Sequence, residues 1–156
     1  MRRTRGEANQ ALYRAQVLLA CWDGERAEGR RPQSVLREAF MPALRLHLGE
    51  AYGWFLLSVS GVEDAGPGMR PRRVADLPAP EPGRARPPEL AEFSLLETDG
   101  WIADMLAGDV PEHSDARGAA TLLGSDRSAP DYAIAARWVQ SLEAIMARMD
   151  DSLAEC

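Results

Sequence analysis

The chain has 156 residues, 46% of them hydrophobic, with a formal charge of −6 and a pI near 5.0; this is the size of one domain that can bury a core without disulfides or a structural metal. All eighteen basic residues are arginine, which removes the P-loop phosphate clamp, the Schiff base with a carbonyl or pyridoxal phosphate, and the kinase-type lysine. The acidic balance also opposes broad binding to nucleic acid or to an anionic membrane, both of which draw on excess positive charge.

The ten aromatic residues fall into four segments with helical spacing, and each segment holds one tryptophan: Trp22, Trp54, Trp101 or Trp138. The first predicted helix runs from about Glu7 to about Ala27. Ala8, Leu12, Ala15, Leu19 and Trp22 form its apolar stripe, with Gln10, Arg14 and Asp23 off it. Met1-Arg2-Arg3-Thr4-Arg5 followed by Leu18-Leu19-Ala20-Cys21 imitates a lipoprotein signal. Asn9, Gln10, Arg14 and Gln16 interrupt the apolar stretch a signal needs, so a helix is the expected reading. Arg30-Arg31-Pro32 is the turn into the next element.

A second helix is predicted from an N-cap at Ser34 to about Val59, with Leu36, Phe40, Leu44, Leu48, Ala51, Phe55 and Val59 inward. Pro42 predicts a kink there, or two helices meeting near Met41. Gly49 and Gly53 give a G-x-x-x-G spacing, which leaves room for a neighbouring helix or for the surroundings of Trp54. The most apolar run, Ala51 to Val59, is only nine residues and falls short of the roughly 20 a bilayer span requires.

Gly61 to Pro88 holds seven of the eleven prolines and is long for a connection inside a compact domain. It reads as a loop, with Pro78-Ala79-Pro80-Glu81-Pro82 in polyproline II conformation and Val74 to Leu77 able to dock on the bundle. No strict P-x-x-P occurs in it. Met69-Arg70-Pro71-Arg72-Arg73 is the one internal basic tract, either solvated or a docking site for an acidic protein or RNA.

A third helical region opens at Pro87-Pro88-Glu89, where proline and acid both suit a first turn, with Leu90, Phe93 and Leu96 inward. Its phase slips at Thr98-Asp99-Gly100, which predicts a short second piece capped by Thr98 or Asp99, carrying Ile102, Met105 and Leu106 and ending at Gly108. Asp109 to Ser128 is a second loop, with one short helix expected at Ala116 to Leu123. The last helix has a capping-box variant at Ser128 and Asp131. Tyr132, Ala135, Val139, Leu142, Met146, Met149 and Leu153 follow a three-four alternation, and Trp138 and Ile145 widen the stripe.

Arg2, Arg3 and Arg5 at the first helix start and Asp150, Asp151 and Glu155 at the last helix end each oppose their own helix dipole. Setting those ends side by side lets each cluster neutralise the other, for at most about 1 kcal/mol. The predicted fold is therefore all-α: an antiparallel up-down four-helix bundle over residues 1–156, with kinked second and third helices and a long Pro-rich loop between them.

No catalytic, cofactor or metal site emerges. His47 and His113 are the only histidines, and neither follows a glutamate by three residues as di-iron bundles require. His47 reads as a core-edge side chain and His113 as part of a polar loop. Cys21, beside Val17 and Leu18, reads as a buried small apolar residue. Cys21 and Cys156 make neither a disulfide framework nor a C-x-x-C pair, which suits the cytoplasm. Helical-bundle ribonucleases of the HEPN group carry Arg, four to six residues, then His. Arg37 and Arg45 stand at the wrong distance from His47, and His113 has no arginine at that spacing.

Asn9-Gln10-Ala11-Leu12-Tyr13, Leu36 to Leu57, Pro88-Glu89-Leu90-Ala91-Glu92-Phe93 and the Trp101 segment resemble a family of small proteobacterial helical proteins of unknown function. That resemblance implies a cytoplasmic single-domain protein and brings no catalytic residues. The leading expectation is a non-enzymatic interaction or regulatory module with a protein partner contacted through Arg70, Arg72 and Arg73. A homodimer stays open, while nucleic acid and membrane are disfavoured. The alternative is a ligand-binding or enzymatic bundle with a pocket among His47, Tyr52, Trp54 and Trp101.

Overall fold

A computed structural model of the chain describes residues 2–63, 66, 68–109 and 130–154. Among them the chain is all-helical, without a strand: α1 (Arg2–Glu28), α2 (Gln33–Val59), α3 (Glu89–Thr98), α4 (Trp101–Leu106) and α5 (Tyr132–Ala154), with 3₁₀ turns at Val74–Asp76 and Ala107–Asp109. The expected helix at 116–123, together with His113, Ser128 and Cys156, lies outside the described residues.

The inward positions read from the spacing form one core. Ala8, Leu12, Ala15 and Trp22 of α1 meet Leu36, Leu44, Leu48, Ala51 and Phe55 of α2 and Ala135, Trp138, Val139, Leu142 and Met146 of α5. Trp22 stacks on Phe40 at 5.9 Å between ring centroids and meets the Tyr132 ring edge-on at 5.6 Å. Arg26, four residues on, lies over the Tyr132 ring, 3.9 Å from its centroid. At the opposite end of α1, Arg5 sits over Phe55, donates to the Met146 carbonyl at 2.7 Å and pairs with Asp150. The start of α1 therefore meets the ends of α2 and α5, and its end meets their starts, so α1 runs opposite to both. The expected pairing of Arg5 with the acidic end of the last helix is present.

Several local expectations need correction. The first helix begins at Arg2, five residues before the sequence placed it, because Thr4 and Ala8 are buried and extend the stripe backwards. Ser34 does not cap α2. Pro32 occupies the N-cap position with φ −58° and ψ 145° and no side-chain cap, so the proline's fixed φ sets the entry into the helix. The helix then continues through Pro42. Pro42 and Glu38 are both exposed, so the carbonyl that loses its partner at Pro42 faces solvent. Neither Thr98 nor Asp99 caps α4; Gly100 takes that place without a side-chain bond, and Asp99 closes α3. The carbonyls of Asp104 and Met105 at the end of α4 accept from Arg45 at 3.2 and 3.1 Å, and the same guanidinium lies 4.8 Å from the Trp138 centroid. A cation at a helix C-terminus complements its dipole. At the start of α5, Asp131 Oδ1 accepts from the Ile134 N–H at 3.1 Å, so Asp131 is itself the N-cap rather than the partner of a box opened by Ser128, which lies outside the described residues.

Candidate functional site

The segment between α2 and α3 is a strap folded back over α2. It begins with a sharp stop. Gly61 adopts φ 71°, its N–H donates to the Ser58 carbonyl at 3.1 Å, and the Val62 N–H donates to the Leu57 carbonyl at 3.0 Å. This is a Schellman closure, which needs a left-handed residue where Gly61 stands. The chain then returns along α2, where Pro71, Val74 and Leu77 are buried.

Three contacts hold the strap. The first is a notch at Gly53. A methyl group there would overlap the Pro71 carbonyl oxygen and come within 2.8 Å of Arg70 Cγ, so only glycine admits this backbone. The G-x-x-x-G spacing therefore serves the strap and no neighbouring helix; Gly49 has nothing within 4 Å of where its Cβ would stand. The second is Glu97 of α3, whose Oε1 accepts from the Tyr52 hydroxyl at 2.7 Å and from the Val74 N–H at 2.8 Å. One carboxylate oxygen thus joins α2, the strap and α3. The third is Asp76, whose Oδ2 accepts from the N–H groups of Arg72 and Arg73, each at 3.0 Å. These bonds close the 3₁₀ turn from its own side chain.

Burial, with the hydrogen bond to Glu97 and its negative charge adding to it, raises the Tyr52 pKa well above its ordinary 10.0. A raised phenol pKa means that the folded state holds the proton where the unfolded chain would release it. Its contribution to stability is complete below pH 10 and is lost as pH climbs beyond it. Stability measured by urea unfolding is therefore expected to fall as pH goes from about 9 to about 11, and Tyr52→Phe to flatten that decline.

The predicted site residues separate into two groups. Arg70 pairs with Glu50 at 3.4 Å, and Glu50 also faces His47 Nδ1 at 3.1 Å, so one acid links a residue of the basic tract to a residue of the expected pocket. Arg72 and Arg73 stand on the exposed side of the strap. Arg84 and Arg86, farther along it, are exposed as well. Tyr52 is fully buried, while Trp54 and Trp101 are half-buried against the core.

The cavity lies elsewhere. About 560 Å³ opens between the end of α2, the second half of the strap and the first turn of α3. Val59, Leu77 and Leu90 form its apolar floor, and Arg84, Arg86 and Glu81 bring charge. None of His47, Tyr52, Trp54 and Trp101 lines it. Those four are spread through packing around α2, because inward spacing on a helix marks burial as readily as a pocket. Cys21 is exposed, contrary to the expectation of burial. Trp22, one residue later, takes the inward place.

Glu97 escaped notice in the sequence, although it carries a signal. It follows Leu90 by seven residues and Phe93 by four, so it occupies the apolar stripe of its helix, where an acid needs a buried donor. Among the described residues no group of three or more His, Cys, Asp and Glu is placed to hold a metal ion, and no helix is long and apolar enough to cross a membrane. Comparison with protein-family models, curated proteins and solved structures finds no match.

Replacing Gly53 with alanine is expected to unseat the strap at a cost of about 1–3 kcal/mol, the usual range for forcing an extra carbon into a packed contact. Trypsin cleavage after Arg72 and Arg73 should then accelerate several-fold while helix content by circular dichroism stays unchanged.

Proposed function

We propose that the protein is a non-enzymatic interaction or regulatory module of the cytoplasm. It acts through an antiparallel up-down four-helix bundle, bent at Pro42 and between α3 and α4, that presents the strap to a protein partner. The observation that carries this reading is the fixing of an arginine-bearing segment by Gly53, Glu97 and Asp76, with Arg72 and Arg73 exposed on it and Arg84 and Arg86 exposed farther along the strap. A loop that served only to connect two helices would not need three separate anchors. Holding guanidinium groups on an ordered backbone lowers the ordering entropy lost on binding, and arginine pairs bidentately with carboxylates. The partner is therefore an acidic protein surface. Such a surface would steer encounter and weaken with salt.

Capture from native cytosol should return a specific protein with the wild-type chain and lose it when Arg72, Arg73 and Arg84 are all changed to glutamate. Salt should release the same protein. Capture of the same set by both chains would refute the reading.

The cavity supports a second reading, the binding of a small molecule. Its volume falls in the range of ligand sites, and arginine at an apolar floor suits a carboxylate with a hydrocarbon tail. A thermal-shift screen with short- and medium-chain carboxylic acids tests it. Stabilisation that disappears in Arg84→Ala supports it, and the absence of any shift rejects it.

A further inference from the structure

Ser58 lies in the last turn of α2 and is 4% exposed. Two residues later Ser60 satisfies its own hydroxyl, donating to the Leu56 carbonyl at 2.8 Å. The Ser58 hydroxyl makes no hydrogen bond among the described residues, although a buried hydroxyl without a partner is costly. The unpaired polar atoms that are sealed from water are Arg5 Nε and Trp22 Nε1. Ser58 Oγ is not sealed, because Ser58 lines the cavity between α2, the strap and α3, and a water-sized molecule reaches it there. The hydroxyl is thus a polar handle on a largely apolar space.

Arg84 is a second handle, at the exposed rim, and it is held in place. Its N–H donates to the Glu81 carbonyl at 3.0 Å and closes a turn. Its Nη1, Cζ and Nη2 stand 3.4, 3.6 and 3.7 Å from where a Cβ on Gly61 would be, so the flat guanidinium lies broadside to the backbone just past α2. Neither Arg84 nor Arg86 has an ion-pair partner among the described residues. Of the two acids on the same cavity, Glu63 already has a partner and Glu81 is exposed on the turn.

A carboxylate with a plain hydrocarbon tail would use Arg84 and the apolar floor and give Ser58 nothing. Hydrocarbon that displaced water from Ser58 would strand the hydroxyl. We infer that the cavity selects a hydroxylated aliphatic carboxylate, with Arg84 taking the carboxylate and Ser58 Oγ sharing a hydrogen bond with the hydroxyl of the ligand. This rests on the small-molecule reading of the cavity and adds the group that sets its specificity. Two hydroxyls can each donate or accept, so the contact buries no charge. A site that hydrogen-bonds a ligand hydroxyl rejects the analogue lacking it, because its own polar group is then left unpaired.

Isothermal titration calorimetry of the full chain tests the inference, with decanoate and with decanoates hydroxylated beside the carboxylate, one carbon farther along, or at the chain end. The best hydroxy acid should bind the wild type at least about tenfold more tightly than decanoate. Ser58→Ala should erase that difference by weakening the hydroxy acid, while decanoate binds as well as before or better. A merely structural role for Ser58 would instead weaken both acids alike. Arg84→Ala should weaken both by a similar factor, since each presents a carboxylate to it. Equal affinity of the wild type for decanoate and all three hydroxy acids, or a preference that survives Ser58→Ala, overturns this inference and leaves the small-molecule reading standing. No binding of any of the acids, or binding indifferent to Arg84→Ala, overturns both.

Discussion

Changing Glu97 to alanine is expected to destabilise the protein by about 2–5 kcal/mol, because it strands two donors at once. The Tyr52 hydroxyl and the Val74 N–H both donate hydrogen bonds to Glu97 Oε1. Tyr52 is 1% exposed and Val74 7%, so water has little access to replace the carboxylate. A buried donor left without an acceptor costs about 1–3 kcal/mol. Glu97→Gln keeps an oxygen in place and should cost clearly less. Tyr52→Phe removes one donor together with its need and should cost about 1 kcal/mol. Urea unfolding followed by tryptophan fluorescence measures all three. Trypsin cleavage of the strap should rise with Glu97→Ala well before global unfolding, since Val74 loses its tether to α3. A loss below about 1 kcal/mol for Glu97→Ala would mean that water reaches the Tyr52 hydroxyl.

Trp22→Ala is the other large effect, with an expected loss of about 3–5 kcal/mol, the usual cost of emptying a buried indole site. That is a large share of the roughly 5–15 kcal/mol by which a domain of this kind is stable. Trp22 fills the junction of three helices, stacked on Phe40 of α2 and edge-on to Tyr132 of α5. Its removal also takes away one of the two contacts on the Tyr132 ring and leaves Arg26 as the other. The first turn of α5 should therefore loosen before its last, which amide hydrogen exchange can resolve. Trp22→Phe keeps a ring in the stack and should recover most of the loss. Equal losses for the two variants would indicate that stacking with Phe40 contributes little and that size alone is felt.

Most of the helical architecture could be read from the residues. Three- and four-residue spacing of Leu36, Leu44, Leu48 and Phe55, and of Ala135, Leu142 and Met146, marked the buried faces, because a helix that folds against a core must repeat its apolar residues with its own period. Asp131 was legible in part: it was read as the partner of Ser128, but a short oxygen-bearing side chain just before an apolar run can itself reach the open N–H groups of the first turn. Ser34 offered the same local signal and lost to Pro32, whose ring fixes φ without regard to a side-chain bond. Cys21 was misread because Val17, one helical turn earlier on the same face, is itself exposed although apolar.

The candidate site was less legible than the fold. The basic tract and the possible docking of Val74 to Leu77 were visible, but what fixes them was not. Gly53 serves a carbonyl that arrives from eighteen residues later, and no local pattern announces that distance. The cavity forms where the end of α2, the strap and α3 converge, so it appears only when three segments are placed together. The expected pocket among His47, Tyr52, Trp54 and Trp101 treated helix-face neighbours as a lining, although side chains on one face can be packed against solid core.

By itself the sequence determined the helices, their buried faces and the exclusion of lysine chemistry, because each depends on residue type and short-range spacing. Tertiary structure alone decided that the proline-rich segment is an anchored strap, that Glu97 bridges three elements, and that Tyr13 and Val17 look outward. Those outcomes depend on which distant backbones meet. Contacts across dozens of residues are set by packing the whole chain at once, and no window of sequence contains them.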